Sequence, residues 1–136
     1  MLYVILTHKL IHLLLHFFFI LKTSKIHYLE CGINNDRVAL LLHGFPDCWL
    51  GWRHQLPELS KSYRCLVVDL KGFNDSDKPQ MRYKYSPNYI CQELKQLLDA
   101  LNIKTVTLLG HDLGGLIGYA YKLYLSILTK LILNFV

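Results

Sequence analysis

Apolar residues follow two alternating patterns along this chain. Residues 38–42 (Val38-Ala39-Leu40-Leu41-Leu42) are continuously apolar, and residues 64–70 and 104–109 are mostly so. Runs this short and unbroken predict strands buried on both faces. Residues 25–31 alternate weakly and predict an earlier strand that stops at Gly32, with Asn34-Asn35-Asp36 as its turn. Residues 129–136 are apolar again and predict a further buried strand. Between these runs the spacing becomes helical. Ser86-Pro87 predicts a helix start, with serine as N-cap and proline in the first helical position. Ile90, Leu94, Leu97, Leu98 and Leu101 then recur on one face, and Asn102 can close the helix. Residues 114–123 predict another helix, and residues 49–60 a helical segment that Pro57 kinks or splits. Buried strands alternating with amphipathic helices predict an α/β fold, a mostly parallel sheet with flanking helices. Ligands bind such sheets beyond the carboxyl ends of the strands. Residues 43–47, 70–77 and 111–113 all follow strand ends, so three loops are expected to converge on one face.

Residues 1–21 depart from this alternation. They are apolar apart from Thr7, Lys9 and the histidines His8, His12 and His16, and they end in Phe17-Phe18-Phe19-Ile20-Leu21. Their length just reaches the roughly 20 residues of a membrane span. They predict an apolar helix, a leader or membrane anchor, ahead of a single domain over residues 22–136. Lys22 and Lys25 follow it, which would leave that domain cytosolic, as on an endoplasmic reticulum membrane. A cytoplasmic protein with a non-native leader is the other reading. No small-residue cleavage site argues for a removed signal peptide.

Composition narrows the function classes. The net charge is +5, but the basic residues are scattered and no nucleic-acid motif accompanies them, so no nucleic-acid partner is expected. Cys31, Cys48, Cys65 and Cys91 lie far apart with no C-x-x-C pair. They read as buried free thiols of a reducing compartment rather than as a zinc site or two disulfides. No spacing implies a metal or an organic cofactor.

The chemistry concentrates in Gly110-His111-Asp112-Leu113-Gly114-Gly115. This segment sits between a predicted strand and a predicted helix, the setting of a nucleophile elbow, with aspartate where serine is usual. A carboxylate presented there can attack an sp³ carbon and form an alkyl ester. The plainer reading of Asp112 is a helix N-cap. Gly110 and Gly114 stand where a tight elbow needs small residues. The loop His43-Gly44-Phe45-Pro46 follows an earlier strand and can supply a backbone donor. The Phe45 and Leu113 N–H groups are the candidate oxyanion hole. His43, Gly44, Pro46, Gly110, His111 and Gly114 are assigned supporting roles, and Phe45 and Trp49 are candidate walls of a substrate pocket. His43, Asp69 and Asp77 are expected to fix their loops.

Four blocks carry a family resemblance: His43-Gly44-Phe45-Pro46-Asp47-Cys48-Trp49; Trp52-Arg53-His54-Gln55-Leu56; Asp69-Leu70-Lys71-Gly72-Phe73 with Ser76-Asp77-Lys78-Pro79; and the elbow itself. In order and spacing they resemble the epoxide hydrolases of the α/β-hydrolase fold, over residues 25–136. The resemblance implies that Asp112 opens a small apolar epoxide. Two lid tyrosines would protonate the leaving oxygen. A histidine oriented by an acid would then activate water against the ester, while the Phe45 and Leu113 amides hold the oxyanion. After Asp112 the sequence contains no Asp, Glu or His, so the chain reads as the N-terminal half of such an enzyme, unable to turn over alone. Leu113, Asn74 and Leu125 depart from a tryptophan, a glycine and a proline common in the family. A dehalogenase of the same fold and a non-catalytic remnant are the alternatives.

Overall fold

The structure, a computed structural model, describes residues 14–21, 24–124 and 128–134. Six strands form one sheet: β1 (Leu15–Ile20), β2 (Lys25–Cys31), β3 (Val38–Leu42), β4 (Arg64–Val68), β5 (Val106–His111) and β6 (Leu128–Asn134). Their order is β1-β2-β4-β3-β5-β6. β1, β2 and β4 pair antiparallel, whereas β4, β3, β5 and β6 are mutually parallel. The chain leaves β3 to build β4 on one side, then crosses back to build β5 on the other. That reversal puts the loops after β3 and β5 side by side, where open parallel sheets bind ligands.

The unbroken apolar runs are explained by two cores. Along β3 and β4, Leu40, Leu42, Leu66 and Val68 enter the core under helices α2 (Pro87–Ala100) and α3 (Leu113–Tyr124). Ala39, Leu41, Cys65 and Val67 enter the opposite core, under a 3-10 turn (Trp49–Trp52) and helix α1 (Leu56–Leu59). Successive strand side chains face opposite ways, so both sets must be apolar. Each fully buried leucine among them contributes roughly 1.5–3 kcal/mol. The predicted helix over residues 49–60 is two short pieces, and Pro57 sits in the first turn of α1, where its missing N–H costs nothing.

α2 is bounded as its sequence predicts. The Ser86 hydroxyl accepts the Tyr89 N–H, and Pro87 is the first helical residue. At the far end Asn102 takes φ +57°, the Asn102 N–H donates to the Asp99 carbonyl and the Ile103 N–H to the Leu98 carbonyl. These two bonds form a Schellman closure.

The apolar helix expected over residues 1–21 is corrected over its described part, while residues 1–13 lie outside the described residues. Leu15–Ile20 is a strand, paired residue for residue with β2. Phe17 stacks on Tyr28 with ring centroids 5.3 Å apart, and Phe18 tilts over His27 at 5.0 Å, on the other face. Aromatic side chains suit such a half-buried pleated surface. No helix among the described residues is long and apolar enough to cross a membrane.

Candidate active site

The site forms where β3 and β5 end side by side. Beyond β3, His43 is buried and its ring ties two loops. Its Nε2 accepts the Leu70 N–H at 2.9 Å, so the proton resides on Nδ1, which donates to the Gly44 carbonyl at 2.8 Å. Burial lowers the His43 pKa, against smaller opposing effects of the Gly44 carbonyl, Asp69 and Asp47. The ring is thus a neutral brace for the Gly44-Phe45 turn. Phe45 leads into Pro46 through a cis peptide bond.

Beyond β5, Asp112 adopts φ +49°, the left-handed region that a side chain seldom occupies outside tight turns. The Leu116 N–H donates to the Asp112 carbonyl, so α3 begins at once. The carboxylate does not cap its own helix in the usual way. Its Oδ1 accepts the Phe45 N–H at 2.8 Å, across 67 residues of sequence. The Leu113 N–H, next along the chain, adds to the positive field at the same carboxylate. An N-cap side chain would instead reach the second or third helical N–H from an extended backbone. Phe45 N–H first, then Leu113 N–H, hold the Asp112 pKa below the usual carboxylate range. His111 assists, and slight desolvation opposes. The group is exposed and ionised, with the Phe45 N–H on Oδ1 and Oδ2 as its second oxygen.

Backbone proximity sets this elbow. A Cβ on Gly114 would lie 2.2 Å from the Leu42 carbonyl oxygen, and one on Gly110 would lie 2.5 Å from the Gly114 oxygen. The first turn of α3 therefore packs directly on the end of β3, which sets the reach from Asp112 to Phe45.

A cleft of about 320 Å³ opens beside the elbow, lined among others by His43, Asp47, Trp52, Leu109, His111 and Ile132. Phe45 and Trp49 do not line it. The Phe45 ring is 71% exposed and meets Phe73 edge to face at 6.0 Å. Trp49 packs on the core under α1 and edge-on against His16 at 5.4 Å.

Residues 38–134 match the family described as the alpha/beta hydrolase fold. The chain belongs to the α/β-hydrolase fold family. Epoxide hydrolase 4 of Mus musculus is 38% identical over 113 residues, 82% of this chain and 32% of the mouse protein. Epoxide hydrolase 2 of Caenorhabditis elegans is 35% identical over 102 residues, 75% of this chain and 29% of the worm protein. Among solved structures, epoxide hydrolase VrEH1 from Vigna radiata superposes with a TM-score of 0.82 at 30% identity, covering 88% of this chain and 39% of that one. Cfl2 from Burkholderia cenocepacia superposes with a TM-score of 0.81 at 30% identity, over 88% and 40%. The chain spans about a third of the length of the curated relatives it matches.

Beside the site this fold holds a buried polar network whose histidine members sequence reading missed. His16 Nδ1 lies 3.1 Å from His27 Nε2, and His27 Nδ1 lies 2.6 Å from Asp69 Oδ2. Asp69 also accepts the Trp49 N–H on Oδ1 and an Asn74 amide N–H on Oδ2. Asn74 takes φ +40°, a conformation asparagine tolerates better than most residues. Asp69 thus joins β2, the turn after β3 and its own loop. His27, Asp69 and Asp75 bring metal-ligand atoms within 4.8 Å of one another. His27 and Asp69 already satisfy each other, so the cluster acts as a structural tie.

The chain should lose stability in acid through this tie. Burial pushes the Asp69 carboxyl up, but His27, the Trp49 N–H and Asn74 outweigh it and hold the pKa below its usual value. A carboxyl lowered on folding stabilises above its unfolded pKa of about 3.9, and that contribution disappears as pH falls through the folded value. Urea melts at stepwise pH should show stability declining below about pH 4. The Asp69→Asn chain should be less stable at neutral pH and show a flatter acid limb. Parallel acid limbs would remove Asp69 as the cause.

Proposed function

We propose that this chain carries the nucleophile and the oxyanion-stabilising donors of an epoxide hydrolase. The observation behind the reading is the 2.8 Å bond from the Phe45 N–H to Asp112 Oδ1, and the names of the relatives supply the substrate class. Asp112 Oδ2 attacks a ring carbon of the epoxide. The carbon–oxygen bond of the strained ring breaks, its electron pair stays on the ring oxygen, and that oxygen takes up a proton. The product is a hydroxyalkyl ester of Asp112. Oδ1 becomes the ester carbonyl oxygen, seated against the Phe45 N–H, with the Leu113 N–H as the second donor of the proposed hole. Water attacking that carbonyl would turn Oδ1 into the oxyanion those donors stabilise, and the diol would leave.

The second step needs a general base. His43 is neutral and uses both ring nitrogens in backbone bonds. The sequence after Asp112 offers no Asp, Glu or His. These 136 residues alone are therefore assigned the alkylation step and not the hydrolytic one. The purified chain, incubated with styrene oxide, should gain the mass of one epoxide, mapped to Asp112, without repeated turnover. Its alkylation rate should persist through the ordinary carboxylate range and fall only at lower pH, because the nucleophile must be ionised and its pKa is lowered. Sustained diol release, or an adduct on another residue, would overturn the assignment.

A further inference from the structure

Two cysteines face each other across the sheet. β2 and β4 run antiparallel, and Cys31 is paired directly with Cys65. In the same ladder the Asp69 N–H donates to the His27 carbonyl. Antiparallel pairs alternate, so 27–69, 29–67 and 31–65 are the hydrogen-bonded pairs, with Cα atoms about 5.5 Å apart. Directly opposed residues project to the same face. Both thiols lie in the core under α1 with Leu29, Ala39, Leu41 and Val67, and the Cys65 thiol donates to the Tyr63 carbonyl at 3.6 Å. A disulfide requires Cα atoms roughly 4.4–6.8 Å apart. A hydrogen-bonded pair meets that Cα range but holds its Cβ atoms at the wide end of about 4.5–5.5 Å, against about 3.5–4.5 Å in a disulfide, so closure must draw the end of β2 in by about an ångström. All four cysteines are free thiols here, and neither Cys48 nor Cys91 has a facing cysteine in the strand register.

We propose that Cys31 and Cys65 are a modification site, a dithiol that small-molecule disulfides of the glutathione class convert to a cross-strand disulfide. The Cys31 thiol gives up its proton to water, and its thiolate attacks one sulfur of the small disulfide. One small thiolate leaves and a mixed disulfide forms at Cys31. The Cys65 thiolate then attacks the Cys31 sulfur and expels the second small thiol. The protein loses two electrons and two protons, and the small disulfide becomes two thiols.

Several features favour Cys31 as the first sulfur to react. It is 6% exposed where Cys65 is fully buried. It ends β2, next to the Gly32 turn at φ +65°, where a strand opens most easily. The Cys65 thiol beside it also holds the Cys31 thiol below its usual pKa, although desolvation and Glu30 oppose it. The pair lies at the start of β4, whereas Asp112 and Phe45 lie beyond the ends of β5 and β3. The bridge would therefore close far from the nucleophile and leave its geometry alone. It would enclose β3, the Phe45 loop and α1 in one covalent ring, and rings of this length stabilise by restricting the unfolded chain.

The test uses the whole chain, reduced and then held with oxidised glutathione, with dithiothreitol-treated protein as reference. Non-reducing peptide mapping should find Cys31 joined to Cys65, a mass lower by two hydrogens, and a melting midpoint raised by about 10 °C. Dithiothreitol should reverse all three. Cys31→Ala should abolish both the link and the rise, and Cys65→Ala serves the same purpose if that variant folds poorly. Thiols that stay free under oxidant in mildly destabilising urea would overturn the proposal. So would glutathione adducts without a bridge, or bridges through Cys48 or Cys91.

Discussion

Asp112→Asn should abolish the epoxide adduct while leaving the fold as it is. The substitution removes the negative charge that attacks carbon and keeps almost everything else. Asparagine tolerates the φ of +49° found at this position. Its side-chain oxygen can still accept the Phe45 N–H where Oδ1 does now, at 2.8 Å. The side chain is exposed, so no core packing changes. A neutral amide is a poor nucleophile at carbon, and deleting a nucleophile in covalent catalysis typically costs about 10⁴-fold or more in rate. The measurement is the rate of mass gain with styrene oxide, beside a thermal melt of the same sample. The melt should match the unsubstituted chain while the adduct disappears. Undiminished alkylation of Asp112→Asn would place the nucleophile elsewhere and remove the enzymatic reading.

The elbow was legible because every part of it is local in sequence. A β-branched run, a Gly-x-Asp-x-Gly turn and a helical spacing sit within twenty residues. β3 and the start of α2 were legible for the same reason: five apolar residues in a row, and a Ser-Pro cap. What the sequence hid depends on pairing between distant segments. β1 has the hydropathy of a membrane helix, and only its register with β2 shows that Phe17 and Phe18 face opposite sides of a sheet. The loop-fixing role of Asp69 is legible, but its tie to β2 is hidden likewise. His27 and Asp69 meet only because β2 and β4 are antiparallel in one register. Its place in a loop motif predicts the Phe45 side chain as pocket wall. Its backbone faces Asp112, but its ring turns outward over Phe73. A motif fixes main-chain geometry more tightly than side-chain direction.

The same dependence on main-chain geometry makes Gly114→Ala a severely damaging single-methyl change at the site. The added Cβ would stand 2.2 Å from the Leu42 carbonyl oxygen, 2.5 Å from its carbon and 2.6 Å from the His43 oxygen. All three are backbone atoms at the end of a central strand, so no rotamer can relieve the clash. The start of α3 must lift away from β3, and overpacking of this kind costs roughly 3 kcal/mol or more. A matched control exists. A Cβ on Gly51 would also come within 2.2 Å of an atom, but that atom is Oδ2 of exposed Asp47, which can swing aside. Gly51→Ala should therefore stay close to the parent in urea denaturation, while Gly114→Ala melts far earlier or fails to fold. Any Gly114→Ala protein that does fold should alkylate slowly, because lifting α3 carries Asp112 away from the Phe45 N–H. Equal denaturation midpoints for the two variants would show that the elbow has slack, and that the contact between α3 and β3 does not set the position of the carboxylate.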